Sequence, residues 1–361
     1  MATIDVLMPV RNGMPFLAES IDSICRQTFA DWRLLVLDHG STDGSLELAR
    51  QRAESDRRIL VSSHPEANGI AELRNIGLAK CDSRYLLLQD ADDVSFPNRM
   101  EIVAQHFEAS PDTLIIGGEA IVIDPEGRRT GHLRAPREPA AVAAASFFYF
   151  PIIHPAAAAN FPALMCLDAA YGEDIIGAVP PADSITVKTL AEDYILFGQL
   201  ALLGPCMNLP TPLIQYRRHK KSAGITSPKE QIAQALKVSR FLAKSFCIRN
   251  GLEPFDPGPF CNHADHVFDF GGRDYREPFH KMADALRRGL GPSQPLEREL
   301  AFRKVLATRD GSTMALGLLR FVLRNHASPA EIRTVRNWLL KGVRRGKYVY
   351  REPAMESRLA A

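Results

Sequence analysis

The chain has 361 residues, 46% of them hydrophobic, and a formal net charge of +2, which suits about two soluble globular domains with a large buried core. No run of 18 or more apolar residues occurs and the start MATIDVLMPV carries no basic leader, so neither a membrane span nor a secretion signal is expected, and the cytosol is the expected compartment. Six scattered cysteines (Cys25, Cys81, Cys166, Cys206, Cys247, Cys261) include no C-x-x-C pair, which argues against a disulfide framework and for reduced thiols in the core.

The small net charge hides an asymmetry. Residues 1–225 carry 20 Lys and Arg against 28 Asp and Glu, a balance of −8, whereas residues 226–361 carry 24 against 14, a balance of +10. Two regions with different partners are therefore expected, divided at about residue 225.

Strands and helices alternate in the first region. Thr3–Val10 reads as a strand, and Phe16-Leu17-x-x-x-Ile21-x-x-Ile24 has helical spacing up to Thr28. Trp32–Asp38 is a second strand, Ser45–Ala53 a helix, Arg58–Ser62 a strand, Ile70–Ala79 a helix, Tyr85–Gln89 a strand and Arg99–Ala109 a helix. Such βαβα order predicts an α/β fold, Rossmann-like, with a mostly parallel sheet covered by helices on both faces. In an open sheet of that kind ligands bind beyond the carboxyl ends of the strands.

Two acidic turns fall at that edge. "LDHGSTDGS", residues 37–45, follows the second strand: Asp38 ends the strand, Gly40 permits a tight turn, and Ser41, Thr42 or Asp43 can cap the next helix. A polar strand-to-helix turn would account for this stretch taken alone. Asp90-Ala91-Asp92-Asp93 then follows the buried strand Tyr85–Gln89. Three carboxylates in four residues repel one another and raise their own pKa values, a penalty that a divalent cation removes. Three acids also exceed what a helix N-terminus needs from its dipole. Oxygen ligands with spare positions suit Mg²⁺ or Mn²⁺, which bind through one or two carboxylates plus substrate phosphates.

With both turns in view the chain resembles the family 2 glycosyltransferases, inverting nucleotide-sugar-dependent enzymes of the GT-A fold, over roughly residues 3–225. The resemblance is carried by Met8-Pro9-Val10-Arg11-Asn12, Gln27-Thr28-Phe29, Asp38-His39-Gly40-Ser41-Thr42-Asp43 and Arg74-Asn75-x-Gly77. It continues through Asp90-Ala91-Asp92-Asp93, Ala191-Glu192-Asp193-Tyr194 and Tyr216-Arg217-Arg218-His219. Each motif is weak singly; their order is specific. The resemblance implies that Asp90 and Asp92 form the D-x-D pair that meets the ribose and a diphosphate-bound metal. It also implies that Pro9, Asp38 and His39 line the nucleotide pocket with Arg74 nearby, that Asp193 is the catalytic base, and that His219 approaches the metal or diphosphate. His39 occupies a position where the family usually has a second acid that reads the nucleobase, which leaves uridine open.

The chemistry asked of Asp193 is independent of the family. An inverting transfer needs one carboxylate to take the acceptor hydroxyl's proton while its oxygen attacks the anomeric carbon opposite the departing diphosphate. That leaving group carries its own charge, which a metal and cations such as Arg74 or His219 can offset, so no protonated carboxyl acid is required. Glu192 is the neighbouring acid to which the base role would fall if Asp193 were structural. Arg217, in "YRRHKKSAG", is expected to face phosphate because the region around it is acidic. His154, in "FPIIHPAAAAN", is a candidate on the acceptor side. Residues 161–190 are irregular and are expected to shape the acceptor site.

Residues 226–361 lie outside the resemblance. Helical spacing is expected at Gln231–Phe246, 280–290, 296–307, 313–325 and 329–345, with a Pro/Gly-rich connection at 251–262. Phe321, Leu323, Trp338, Leu339 and Leu340 sit among Arg320, Arg324, Arg333, Arg336, Lys341, Arg344 and Arg345. Two readings stand: a helical bundle with a solvated basic face, or peripheral contact with an anionic membrane at its inner face. The expected reaction moves a sugar from a nucleotide-diphosphate donor to a saccharide or lipid-linked saccharide, in surface polysaccharide or glycoconjugate synthesis. A metal-dependent nucleotidyl- or phosphotransferase is the first alternative, though the chain has no G-x-x-x-x-G-K-[ST] loop. A catalytically silent nucleotide-binding scaffold is the second. Nucleic-acid binding is not expected, because the basic residues lack interleaved stacking aromatics.

Overall fold

The computed structural model describes residues 2–220, 222, 226–268, 274–325 and 327–343. Its first elements alternate as the spacing predicts: β1 (Ile4–Val10), α1 (Leu17–Cys25), β2 (Trp32–Asp38), α2 (Ser45–Ser55), β3 (Ile59–Ser63), α3 (Ile70–Leu78) and β4 (Tyr85–Leu88). There follow β5 (Val94–Ser95), α4 (Arg99–Ala109), β6 (Ile115–Ile123), β7 (Arg129–Leu133), α5 (Pro139–Ala145), β8 (Ala158–Asn160), α6 (Phe161–Cys166), α7 (Glu192–Leu203) and β9 (Cys206–Arg217). Five helices complete the described chain: α8 (Pro228–Asn250), α9 (Arg276–Leu290), α10 (Gln294–Val305), α11 (Gly311–Asn325) and α12 (Pro329–Val343). The helices expected in residues 226–361 are all present among the described residues, though the one expected at 296–307 ends at Val305; Arg344 and Arg345 lie outside the described residues.

One sheet has the order β3-β2-β1-β4-β8-β6-β9-β5, with β7 paired to β6. The pairs β3/β2, β2/β1 and β1/β4 are parallel, as expected. The other half is mixed rather than parallel, because β8 runs antiparallel to both β4 and β6. The short helical turn His154–Ala156 delivers the chain to the carboxyl end of β4, where the Leu88 amide donates to the Ala157 carbonyl. A strand that enters at that end can only run backwards along β4, and the same turn brings His154 to the edge where ligands bind.

Alternation along the strands builds two cores. Val6, Met8, Leu34 and Val36 pack towards α1 and α4 on one face, while Leu7, Leu35 and Leu37 pack towards α3 and α7 on the other. At Gly77 α3 comes close to the sheet: a Cβ there would lie 2.2 Å from Leu7 Cδ1 and 2.6 Å from Leu37 Cδ1. The glycine of Arg74-Asn75-x-Gly77 therefore seats α3 against β1 and β2, one turn beyond Arg74.

The chain divides into two compact units, Met1–Ala143 with Phe150–Val238, and Ala144–Tyr149 with Ser239–Ala361, a division that falls inside α8. In the second unit, Arg303 is buried and donates to Glu299, to the Phe260 carbonyl at 2.8 Å and to Asn262 Oδ1 at 2.7 Å. Among the described residues no helix is long and apolar enough to cross a membrane. Of the cysteines, Cys206, Cys247 and Cys261 are buried, but Cys166 is exposed, contrary to the expectation that all six are core residues. Gly77→Ala is expected to lower unfolding stability by about 1–3 kcal/mol through overpacking, read as a lower urea midpoint with an unchanged slope.

Candidate active site

The carboxyl edge of β1, β2 and β4 is organised by side chains that hold backbone. Asp38 ends β2 fully buried and accepts from the Gly40 amide at 3.1 Å, the Ser41 amide at 3.1 Å and Ser63 Oγ at 2.8 Å. Burial alone would raise its pKa; the bonds from Ser41, Ser63 and Gly40 outweigh it and hold the carboxyl below its ordinary range. Gly40 has φ +67°, the left-handed conformation that makes the turn. Asn12 Oδ1 accepts from the Thr42 amide at 2.8 Å, and the Asn12 amide donates to Ser41 Oγ at 2.9 Å. The "NGM" and "STD" loops are thereby knitted together. His39 donates Nε2–H to the Ala67 carbonyl at 2.8 Å, since a carbonyl only accepts, and its amide donates to Val10 O.

The Asp90–Asp93 turn divides its three acids. Asp93 turns inward: it is 1% exposed, its Oδ1 accepts from the Arg217 amide at 2.7 Å, and burial with Asp92 and Asp90 beside it pushes its pKa well up. Asp90 and Asp92 keep 31% and 30% of their side chains open. Beneath them Gln89 and Arg99, both fully buried, lock the turn. Gln89 Nε2 donates to the Asp90 and Asp93 carbonyls, and Arg99 donates to Gln89 Oε1 at 3.0 Å, Leu88 O at 2.8 Å and Ala157 O at 3.0 Å. Burial lowers the Arg99 pKa to about 9 against the pull of Asp93 and Asp90.

β5 starts at the end of this turn and pairs antiparallel with β9, Val94 opposite Gln215. That pairing is why "YRRH" meets "DADD": His219 Nε2 lies 2.7 Å from Asp92 Oδ2, and the Phe16 ring is 5.0 Å from the imidazole. Arg217 behaves differently from the phosphate-facing role expected of it. It is 2% exposed and gives Nε to Asp92 O at 2.9 Å, Nη1 to the Asp124 and Pro125 carbonyls, and Nη2 to Glu19 at 2.5 Å. These donors are committed to the chain itself, so Arg217 braces the turn.

Arg74 joins this turn to the start of α7. It is 6% exposed, pairs with Glu192, lies 3.6 Å from Asp90 Oδ1, and covers the Tyr171 ring with its guanidinium carbon 5.2 Å from the centroid. Burial works against its charge, yet Glu192, Tyr171, Asp90 and Asp193 together raise its pKa. Asn75 grips the Tyr171 backbone at both ends, Oδ1 accepting from its amide at 2.7 Å and Nδ2 donating to its carbonyl at 3.1 Å. The Tyr171 hydroxyl lies 3.3 Å from His154 Nε2, and His154 Nδ1, without a hydrogen-bond partner among the described residues, faces Asp90 Oδ1 at 3.9 Å. Burial, with Arg74 and Arg99 nearby, lowers the His154 pKa well below its ordinary value, so this imidazole is neutral. It stacks on Phe197 behind Asp90.

Asp193 follows Glu192 in the first turn of α7, its Oδ1 accepting from the Tyr194 amide at 2.7 Å. Burial and Glu192 push its pKa up, Arg74 pulls it down, and it settles at about 7. Burial, offset by Arg74 and reinforced by Asp92, brings Asp90 to about 6. Residues 161–190 are tied to the same helices: the Ala71 amide donates to Lys188 O, and the Ile175 and Ile176 amides donate to Gln199 Oε1. Pro9 lies in β1 opposite Leu37, one residue before Asp38's level. The structure thus gathers Asp90, Asp92, His154, His219, Arg74, Glu192 and Asp193 into one connected set, with Asp38 and His39 in the neighbouring turn. Tyr171, Gln89 and Arg99, which hold that set in place, carry no motif signal; the Asn75 of "RN-x-G" was the one visible hint of Tyr171's anchor.

Asp92 Oδ2 and His219 Nε2, 2.7 Å apart, are the atoms that could serve as donors to a divalent cation. Among the described residues no group of three His, Cys, Asp or Glu converges as a metal site. A carboxylate–imidazole pair fits a cation that takes its remaining ligands from a substrate. Asn75→Ala should cost about 1–3 kcal/mol, since it leaves buried backbone groups of Tyr171 unpaired, and should be visible as a lower melting temperature.

Comparison with known proteins finds likenesses of sequence and fold. A family model described as "Glycosyl transferase family 2" matches residues 5–164. The Bacillus subtilis protein described as "Putative glycosyltransferase EpsE" is 35% identical over 128 residues, covering 35% of this chain and 46% of EpsE. An uncharacterized glycosyltransferase of Haemophilus influenzae is 25% identical over 245 residues, covering 66% of this chain and 72% of its own. The matched stretch thus spans about half of EpsE. S. aureus TarS 1–349, solved in complex with UDP-GlcNAc, superposes with TM-score 0.53 at 14% identity, covering 96% of this chain and 93% of that one. The fold is accordingly a GT-A-like mixed α/β sheet followed by a helical region, and over residues 5–164 the chain is similar to the family 2 glycosyltransferases.

Proposed function

We propose that the chain is an inverting glycosyltransferase that moves a sugar from a nucleoside-diphosphate donor to a hydroxyl of a saccharide or lipid-linked saccharide, in surface polysaccharide or glycoconjugate synthesis. The observation that carries this reading is the division of labour across Arg74: half-open Asp90 and Asp92 on one side, and on the other a carboxyl, Asp193, whose pKa of about 7 suits a general base at neutral pH. Residues within 1–225 perform the catalytic role, and the expected C-terminal region from 226 on belongs to the second compact unit only from Ser239. The UDP-GlcNAc complex of TarS supports a nucleotide-sugar donor for the shared fold.

In this reading Asp90 holds the nucleoside, and Asp38, whose buried carboxylate is taken up by Gly40, Ser41 and Ser63 rather than free to reach a nucleoside as expected, shapes the turn that lines the pocket with Pro9 and His39. Asp92 and His219 would hold Mn²⁺ or Mg²⁺, whose charge would offset that of the diphosphate. Asp193 takes the acceptor's hydroxyl proton, and the acceptor oxygen forms the new bond to the anomeric carbon from the face opposite the leaving group. The carbon–oxygen bond to the diphosphate breaks with its electron pair on the diphosphate. Neutral His154 and buried Arg74 keep Asp90 placed and partly charged while the donor is bound. A scaffold without catalysis would have no need for a partly exposed carboxyl tuned to about 7 beside a separate acid pair.

Asp193→Asn keeps the side-chain shape and removes the base. Donor affinity, read by calorimetry, should stay near the wild-type value while transfer falls at least ~10²-fold. In the wild type, kcat/KM should rise about tenfold per pH unit below about 7 and level off above it, because the base works only when ionised. A folded Asp193→Asn protein that transfers at the wild-type rate would move the search to Glu192.

A further inference from the structure

We infer that the outer face of α11 and α12 is a docking surface for an anionic lipid bilayer, which holds the chain against the membrane. α11 buries Met314 and Phe321 on one side. Leu316, Leu319 and Leu323, spaced three and four residues apart, fall on the opposite side and are 47%, 55% and 74% exposed. An apolar stripe turned away from the core is costly in water unless something covers it. Arg320 and Arg324, both exposed, run alongside it, and α11 contains no Asp or Glu.

α12 repeats the pattern. Val335 and Trp338 are fully buried, while Ile332 and Leu340 stand exposed with Arg333 and Arg336. The acid in α12, Glu331, turns inward to Arg298, which donates to it at 2.9 and 3.0 Å. The exposed faces of both helices are therefore apolar and basic with no described acid to neutralise them. A second copy of the chain would bring arginines against arginines across the apolar stripe. An acidic protein would meet the charge but need a matching apolar groove. A bilayer surface with anionic headgroups satisfies both demands at once, phosphates towards the arginines and acyl chains towards the leucines. The inference concerns the second compact unit and stands apart from the chemistry at Asp193.

Co-sedimentation of the full chain with phosphatidylcholine vesicles, with and without phosphatidylserine, tests it. Binding is expected to require phosphatidylserine and to weaken as salt rises. Leu319→Glu/Leu323→Glu should reduce the partition coefficient at least ~10-fold, and Arg320→Glu/Arg324→Glu by a similar factor, with melting curves showing both variants folded. Absence of binding at low salt would overturn the inference. So would binding that the leucine variant leaves unchanged, which would mean adsorption by general charge, or a dimer in solution that the same variant dissociates, which would assign the stripe to a second copy.

Discussion

The site depends on one buried cation. Arg74 lies between Glu192 at the start of α7 and Asp90 in the turn after β4, and its charge is what allows acids from two distant stretches of chain to share one edge of the sheet. Breaking a buried pair by removing one partner is far more damaging than never having built it, because the remaining charge is left without compensation. Arg74 is itself fixed from three directions: α3 is seated on the sheet by Gly77, Tyr171 lies under the guanidinium, and Asn75 pins the Tyr171 backbone. The motif Arg74-Asn75-x-Gly77 is thus a single device, with a packing residue, an anchor and a charge one turn apart.

The same crowding sets the chemistry. Ionised carboxylates are costly where they are buried, so the folded chain retains protons on Asp90 and Asp193 up to about pH 6 and 7, which the unfolded chain would release near pH 4. Because the folded state binds more protons across that interval, these two groups contribute less stability as pH rises through it. That cost accompanies a useful base. Asp38 shows the opposite arrangement, a fully buried carboxylate whose hydrogen bonds from Gly40, Ser41 and Ser63 keep it ionised. Two environments within one sheet edge separate acids that hold from an acid that takes a proton.

Legibility in the sequence followed locality. Elements whose hydrophobic period is self-contained, such as Trp32–Asp38 and Arg99–Ala109, were readable to the residue. The short strands of the mixed half were not, because β5 and β8 are two and three residues long and owe their existence to partners far along the chain. The acid clusters were legible as charge that needs compensation, but not how it is divided: Asp93 is sequestered by the Arg217 amide, and Arg217 spends its donors on carbonyls and Glu19. Arg99 and Gln89, fully buried beneath the turn, give no periodic signal, since a core arginine looks in sequence like any helix-starting arginine. In the helical region, spacing identified α11 and α12, whereas which of their apolar residues face outward became visible only once Phe321 and Trp338 were seen to be buried.

The central claim is that Arg74 sets the charge state of the carboxyls around it. The most direct measurement is the titration of Asp193 by carboxyl-carbon NMR in wild type and in a folded Arg74→Gln variant. The account predicts a midpoint near 7 in the wild type and a clearly higher one in the variant, because a positive charge that lowers the Asp193 pKa is gone. An unchanged midpoint would contradict it and reduce Arg74 to a packing residue.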